Sequence, residues 1–469
     1  MHFVDKIFRE YDVRGVYGKD YDADFASLLA KAAAQFLRAS AKPISGNRFR
    51  FAVGRDARPS GDLLTPKFIS SLIEEGFEVI ELGIVPTPLV YFSLFHLKVD
   101  AAVSITGSHN ATEYNGFKIC IGKSTLHGSQ IQELKSICTK LKAGSGEKSK
   151  TVGSSSVYDI IAPYIQDVTS RVKLKRPLKV AVDSGNGAGC VVGPQLLEKL
   201  GCTVLPLYCD LDGTFPNHHP DPTVLENLVD LQKLVLKEKA DIGIAYDGDA
   251  DRIGVVDEKG RPIFGDEQMI LYSKEILSRK PGSKILFEVK CSNRLANEIK
   301  KNGGTPIMWK TGHSLIKAKM KEEGAELAGE MSGHMFFADR YYGYDDAIYA
   351  SARMLEILSS QDIPLSQHLA HLPQSFSTPE LRIDCEDEIK FDVVKEVAKE
   401  FATRFKVIEI DGVRIETDDG WGLLRASNTQ PAVVMRFEAT TQKRLDELKS
   451  IVESSFEVAK NAVKKRAAK

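Results

Sequence analysis

RFAVGRDARPSGDLLTPKFISSLIEEGFEVIELG, residues 50–83, holds one complete unit of fold. A short apolar run, Phe51-Ala-Val53, enters a polar turn containing Gly, Asp and Pro. From Leu63 the apolar residues recur at helical spacing, and the pattern stops at Gly76. A second strand-like run begins at Phe77. LKVAVDSGNGAG (178–189), followed by VVGPQLLEKLG and CTVLPLY (202–208), repeats the order. KADIGIAYDGDADR (239–252) and SKILFEVKCSN (283–293) repeat its strand-then-turn half. Strands alternating with helices of ~10–15 residues predict βαβ units and mostly parallel sheets. Their return at roughly hundred-residue spacing predicts related α/β domains in tandem.

Past HLPQSFSTPE (371–380) the character changes. LRIDC, DVVKEVAKEFATRF and AVVMRFEA read as strand, helix and strand, and Asp-Gly pairs at 411–412 and 419–420 mark turns. The expected architecture is three α/β domains and a smaller α+β domain around a central cleft. KAGSGEKSKTVGSSS (142–156) reads as a linker, and DEKGRP (257–262) as a second break. The predicted domains are 1–152, 153–259, 260–373 and 374–469.

Sixty-three basic residues against 64 acidic ones leave a net charge of −1. That balance argues against a general nucleic-acid binder but leaves room for a local anion pocket. The seven cysteines form no CxxC pair, so they read as reduced, mostly buried thiols of a cytoplasmic protein. No stretch approaches the ~18 apolar residues of a membrane span. MHFVDKIFRE lacks a signal-peptide apolar run. KKRAAK at the end reads as a solvated helix terminus.

DGDADR (247–252) places Asp247, Asp249 and Asp251 at alternate positions after a strand. In an extended chain these side chains point the same way, with only Gly248 and Ala250 between them. Crowded carboxylates repel, and a hard divalent cation such as Mg²⁺ relieves them. An EF-hand is excluded because Arg252 occupies the position of its required glycine. TGSHN (106–110) sets Ser108 and His109 between Gly107 and Asn110, a turn able to present the serine hydroxyl; an ordinary strand-end turn has the same composition. In TEYNGFKIC (112–120), Asn115-Gly116 predicts a hairpin that returns Lys118 to Ser108. GEMSGH (329–334) spaces Glu330, Ser332 and His334 for one face of an extended loop, suited to sugar hydroxyls; a polar surface turn reads equally well. RASNTQP (425–431) joins Arg425 to Ser427, Asn428 and Thr429 as an anion nest or a helix-start turn. Tyr11, Arg14, Lys290 and His313 are weak signals singly. HHPDP (218–222) reads as a structural connection, and GNGAG (185–189) lacks the third glycine of a dinucleotide loop.

YDVRG, TGSHN, YNGFKI, FPNHHPDP, DGDADR, EVKCS, TGHS, GEMSGH and RASNTQP follow one another along nearly the whole chain. As an ordered set they resemble the α-D-phosphohexomutase family, in its phosphomannomutase/phosphoglucomutase branch. The resemblance implies reversible interconversion of hexose 1- and 6-phosphates through a phosphoserine and a hexose 1,6-bisphosphate, which also serves as activator. It assigns the phosphoryl group to Ser108, and Mg²⁺ to Asp247, Asp249 and Asp251 with an oxygen on Ser108. Arg14, His109, Lys118 and Arg252 match residues around the transferring phosphoryl. Lys290 and His313 match substrate-proximal positions, and Glu330 and Ser332 match sugar-hydroxyl contacts with His334 nearby. Arg425, Ser427, Asn428, Thr429 and Tyr11 match the grip on the other phosphate. Candidates for the general base are His334, His313 and Lys118. Ala111 departs from the proline of many relatives, a change in turn rigidity rather than chemistry. Rival readings are a metal-dependent sugar-phosphate phosphatase, a phosphoglucosamine mutase and a non-catalytic sugar-phosphate sensor. The expected partners are small sugar phosphates, without nucleic acid or membrane, for a monomer or dimer.

Overall fold

In the computed structural model, which describes residues 2–144, 152–427 and 431–467, the opening stretch forms strand Arg50–Arg55, helix Gly61–Glu74 and strand Glu78–Ile84. The two strands are parallel neighbours, as the strand–helix–strand pattern requires. Strand Ala101–Ile105 lies parallel on the other side of Arg50–Arg55. Tyr114–Ile121 and then Val13–Val16 extend that edge antiparallel. Ser154–Val157 adds the opposite edge by pairing with Glu78–Ile84. Of the expected linker, residues 145–151 lie outside the described residues and 154–156 belong to that edge strand, past the predicted boundary at 152. DEKGRP, the expected second break, is instead the turn joining Ile253–Asp257 to Pro262–Ile263 within the second sheet.

The second sheet runs Pro262–Ile263, Ile253–Asp257, Ile242–Tyr246, Lys179–Asp183, Thr203–Leu207. The third runs Thr305–Trp309, Lys284–Glu288, Leu327–Gly329, Met335–Phe337. Both have parallel centres finished by an antiparallel edge. The fourth sheet is antiparallel throughout and backed by helices Lys390–Ala402 and Gln442–Ala467. Both Asp-Gly pairs sit where its strands reverse, and Gly412 takes φ +77°. His218 behaves as a structural connection, its Nε2 3.0 Å from Asp183 Oδ2. All seven cysteines are free. No described helix is long and apolar enough to cross a membrane.

One apolar cluster runs through the first three sheets, from Val90 and Phe92 through Tyr164, Val180 and Ile244 to Ile285 and Leu355. The fourth domain has its own core, built on Val393, Phe401, Leu424, Met435 and Phe456. It meets the third mainly through polar contacts. Ser292 Oγ donates to Glu438 Oε1 (2.7 Å), Asn293 Nδ2 to Glu416 Oε2 (2.8 Å), and Arg414 Nη1 to Cys291 O (2.9 Å).

The expected hairpin at Asn115-Gly116 is not formed. Both residues lie inside strand Tyr114–Ile121, and the reversal is made by residues 106–113. Asn115 is tied down by donating to Ser60 Oγ (2.8 Å). Gly116 is required by close approach, since a Cβ there would lie 2.4 Å from the carbonyl oxygen of Val13. A dipeptide common in turns serves here as a tight strand crossing.

Candidate active site

Ser108 lies in the loop between the antiparallel strands Ala101–Ile105 and Tyr114–Ile121, with φ +50°. Its N–H donates to Thr106 Oγ1 (2.8 Å). Its hydroxyl is buried, donates to Asp247 Oδ2 (3.2 Å) and lies 3.3 Å from His109 Nδ1. Arg14 reaches the same loop from strand Val13–Val16, donating through Nη1 to Asn110 Oδ1 (2.7 Å).

Asp247, Asp249 and Asp251 converge, but not through extended chain. The segment turns back on itself, Ala250 N–H donating to Asp247 O (3.0 Å) with Ala250 at φ +56°. Asp247 Oδ1 accepts from the N–H groups of Asp251 (3.0 Å) and Arg252 (3.1 Å). All three carboxylates are fully buried, with ligand oxygens within 4.8 Å of one another. Burial and the neighbouring Asp251 and Asp249 hold the Asp247 carboxyl well above the usual range. Burial would raise Asp251 too, but Lys118 and His334 outweigh it and hold that carboxyl low.

Lys118 comes from the strand facing the serine loop. Its Nζ lies 2.7 Å from Asp249 Oδ2 and 2.5 Å from Asp251 Oδ2. Thr87 Oγ1 adds a hydrogen bond to Asp249 Oδ2 (2.5 Å). Asp249 Oδ1 and Asp251 Oδ1 are left buried without a hydrogen-bond partner among the described residues. Two orphaned anionic oxygens beside a third carboxylate and a serine hydroxyl fit a small hard cation.

Glu330, Ser332 and His334 do not line an extended loop either. Residues 330–334 form the hairpin turn between Leu327–Gly329 and Met335–Phe337, Glu330 N–H donating to His334 O (2.9 Å). Glu330 Oε1 accepts from Gly312 N–H (2.7 Å), and Ser332 Oγ donates to Glu330 Oε2 (3.3 Å). His334 Nε2 accepts from Arg252 Nε (3.0 Å), which leaves the proton on Nδ1, 3.4 Å from Asp345 Oδ2 and 3.6 Å from Asp251 Oδ1. His313 stacks on His334 with ring centroids 5.7 Å apart, its Nδ1 3.5 Å from the same Asp345 oxygen. Lys317 Nζ holds the other Asp345 oxygen at 2.9 Å. Burial, then Lys317, push the His313 imidazole well below its ordinary value. Burial and then Arg252 and Arg14 do the same to His109.

Lys290 Nζ lies 2.8 Å from Glu380 Oε2, at the entrance to the fourth domain, and 3.4 Å from Glu288 Oε2. Arg425 Nε donates to Asp411 Oδ2 (2.9 Å), which also accepts from Thr311 N–H (3.1 Å). Tyr11 completes the link from the first domain by donating to Thr311 O (2.9 Å). Ser427 is held on the sheet by its N–H, donated to Ala432 O (2.9 Å); Asn428 and Thr429 lie outside the described residues.

Loops from the first three sheets thus carry the serine, the carboxylate trio and the Glu-Ser-His turn, and strand Gly420–Ala426 of the fourth carries a buried arginine. Models of the phosphoglucomutase/phosphomannomutase family match in the same order: α/β/α domain I over residues 5–144, domain II over 162–260, domain III over 264–376 and the C-terminal domain over 380–454. The chain belongs to that family. It is 44% identical over 459 residues to a phosphomannomutase/phosphoglucomutase of Pseudomonas aeruginosa, covering 97% of this chain and 96% of that one. A phosphoglucomutase of Neisseria meningitidis is 45% identical over 456 residues, covering 96% and 97%. A solved phosphoglucomutase/phosphomannomutase family protein of Burkholderia thailandensis superposes with a TM-score of 0.90 at 41% identity, covering 98% of each chain.

Sequence reasoning passed over Thr87, Glu288, Asp345, Lys317, Glu380 and Asp411, which hold the family motifs in place. Glu288 stands two residues before Lys290 and could have been noticed. The others meet their partners from distant segments, as Asp411 meets Thr311 and Glu380 meets Lys290.

Proposed function

We propose that this chain is a phosphohexomutase, an isomerase that reversibly interconverts the 1- and 6-phosphates of glucose and mannose. The observation that carries the reading is the Ser108 hydroxyl 3.2 Å from Asp247 in a fully buried carboxylate trio. In the forward half-reaction the P–O bond to phospho-Ser108 breaks as one forms to the free hydroxyl of a hexose monophosphate. The hexose 1,6-bisphosphate turns end for end, and Ser108 Oγ recovers a phosphoryl group from its other end. Asp247, Asp249 and Asp251 would hold Mg²⁺, which when bound supplies positive charge to the phosphoryl oxygens.

Phosphoryl transfer needs in-line positioning and charge balance more than covalent chemistry. Arg14, Lys118 and Arg252 supply that charge. Lys118, whose ammonium Asp249 and Asp251 hold charged against the cost of burial, serves as a cation and not as the base. The proton of the attacking hydroxyl passes to the His313 imidazole, because both His334 nitrogens are engaged, Nε2 by Arg252 and Nδ1 by its own proton facing Asp345. Arg425 with the Ser427–Thr429 segment and Tyr11 grips the phosphate that is not moving, and Glu330 with Ser332 orients the sugar. Seven free thiols support a reducing, cytoplasmic setting.

Purified protein is assayed with glucose, mannose and glucosamine 1-phosphates, Mg²⁺ and a trace of glucose 1,6-bisphosphate. The expected product is the 6-phosphate of the first two sugars, with little inorganic phosphate released. Intact mass shows one phosphate, absent from Ser108→Ala, which still binds substrate but does not turn over. Stoichiometric phosphate release would favour a phosphatase, and binding without turnover a sensor.

A further inference from the structure

Ser108 takes a positive φ, a conformation that costs a non-glycine residue free energy and persists only where its surroundings enforce it. The enforcing group lies in the strand–turn–helix stretch 50–83. Arg58, fully buried, sends Nη2–H to the carbonyls of Ser108 (2.7 Å) and Asn110 (2.5 Å). Its Nη1–H groups go to Tyr114 O (3.0 Å) and Ala111 O (2.5 Å). Its Nε donates to Asp56 Oδ2 (3.0 Å), and that oxygen also accepts from Thr106 Oγ1 (2.7 Å) and Gly107 N–H (3.1 Å). The fork reaches this depth because position 107 has no side chain: a Cβ there would lie 2.5 Å from the guanidinium carbon.

The second domain closes over the same guanidinium. Phe215 stacks on it, 5.0 Å from ring centroid to Cζ. Gly213 approaches so closely that a Cβ would lie 2.1 Å from Ala57 O, and Thr112 Oγ1 donates to Thr214 O (3.1 Å).

We propose that Arg58 is a positioning residue for phosphoryl transfer, fixing the backbone of the serine loop so that Ser108 Oγ faces the carboxylate trio. Phe215 makes that setting depend on the docking of the second domain. The inference rests on the phosphoserine reading above. Lysine cannot replace the fork, because four carbonyls and a carboxylate need a planar array of donors that a point ammonium lacks. Arg58 touches neither the hydroxyl of Ser108 nor the carboxylates of the trio, so its effect is on placement.

The test uses the full chain as wild type, Arg58→Lys, Arg58→Gly and Phe215→Leu, loaded with glucose 1,6-bisphosphate and Mg²⁺. Misplacement of a reacting group by about 1 Å costs on the order of 10²-fold in rate. Arg58→Lys is therefore expected to lose about 10²-fold in kcat with KM nearly unchanged. Phe215→Leu is expected to show a smaller loss of the same kind. Millimolar guanidinium, but not methylammonium, restores kcat in Arg58→Gly. Amide exchange in residues 106–113, followed by mass spectrometry, quickens in Arg58→Gly and slows again with guanidinium. Wild-type kcat in Arg58→Lys, or losses that track melting temperature and ignore guanidinium, would overturn the proposal. A wild type that neither turns over nor takes phosphate would refute the mutase reading instead, and the exchange measurement would still decide what Arg58 does to the loop.

Discussion

Replacing Lys118 by methionine removes an ammonium that ion-pairs two fully buried carboxylates, Asp249 and Asp251, and leaves a side chain of similar length. Breaking a buried ion pair from one side costs about 3–5 kcal/mol, because the abandoned charge keeps its desolvation penalty. At roughly 2 °C per kcal/mol for a unit of this size, the metal-free variant should melt about 5–10 °C lower. The pH dependence should change sign. Where Lys118 holds Asp251 low, that carboxylate contributes stability above its unfolded value, and the contribution is lost as pH falls through the depressed folded value. Without the amine, burial raises the carboxyl, so stability is greatest in acid and declines as pH rises. Saturating Mg²⁺ at 100 times Kd adds about 2.7 kcal/mol to a protein that binds it only when folded. The variant, with two uncompensated carboxylates, should gain more than wild type while remaining inactive. Differential scanning fluorimetry across pH, with and without Mg²⁺, reads all three effects. Equal metal-free melting temperatures, or an Mg²⁺ shift no larger in Lys118→Met, would refute the electrostatic account of the site.

Asp346 caps helix Ala347–Ser359 and accepts hydrogen bonds from Tyr164 and Tyr341, yet burial pushes its carboxyl up to about 6. A raised folded value means its stabilising contribution is full below about pH 4 and lost as pH rises through 6, a change of about 2–3 kcal/mol. Asp346→Asn should flatten melting temperature over that interval, as calorimetry would show. Gly248→Ala places a Cβ 2.5 Å from the Ser108 carbonyl oxygen and should push the serine and carboxylate loops apart. Its kcat should fall about 10²-fold with little change in KM, measured in the coupled glucose 1-phosphate assay.

Periodicity carried the sheets. Strand–helix alternation in 50–83 and 178–208 is a local property, and local sequence records it. Three local geometries differ from what the pattern predicts. Composition alone gives Asn115-Gly116 a hairpin turn, and alternate spacing gives Asp247–Asp251 and Glu330–His334 an extended chain, although for the last a surface turn reads equally well; tertiary contacts dictate another geometry. Gly116 is pressed against Val13, and Ala250 is forced left-handed by the turn that brings Asp247 round to Asp251. The chemistry survived these errors because carboxylates close in sequence converge through a turn as readily as along a strand. Arg58 was illegible for the opposite reason: in RDARPSG it resembles any polar turn residue, and its four carbonyl partners lie some fifty residues away in sequence.

How the four domains share out the site also bears on how it opens. The first three domains are joined by one apolar cluster, so separating them would expose hydrocarbon at about 25 cal/mol per Å². The fourth has a core of its own and docks through Ser292–Glu438, Asn293–Glu416 and the arginine–carbonyl contacts of Arg414. Water can replace each of these charge-assisted bonds at a net cost of roughly 1.5–3 kcal/mol. One small apolar cluster, Val289 with Trp421 and Leu423, bridges the seam. The seam of least resistance therefore runs between the third and fourth domains, where Lys290 meets Glu380 and Arg425 meets Asp411. Opening there would uncover the proposed phosphate grip while leaving Ser108, Lys118 and the carboxylate trio packed together. The proposed mechanism requires the bisphosphate to turn round with its far phosphate released and its near one kept beside the serine, and that division of packing would serve both.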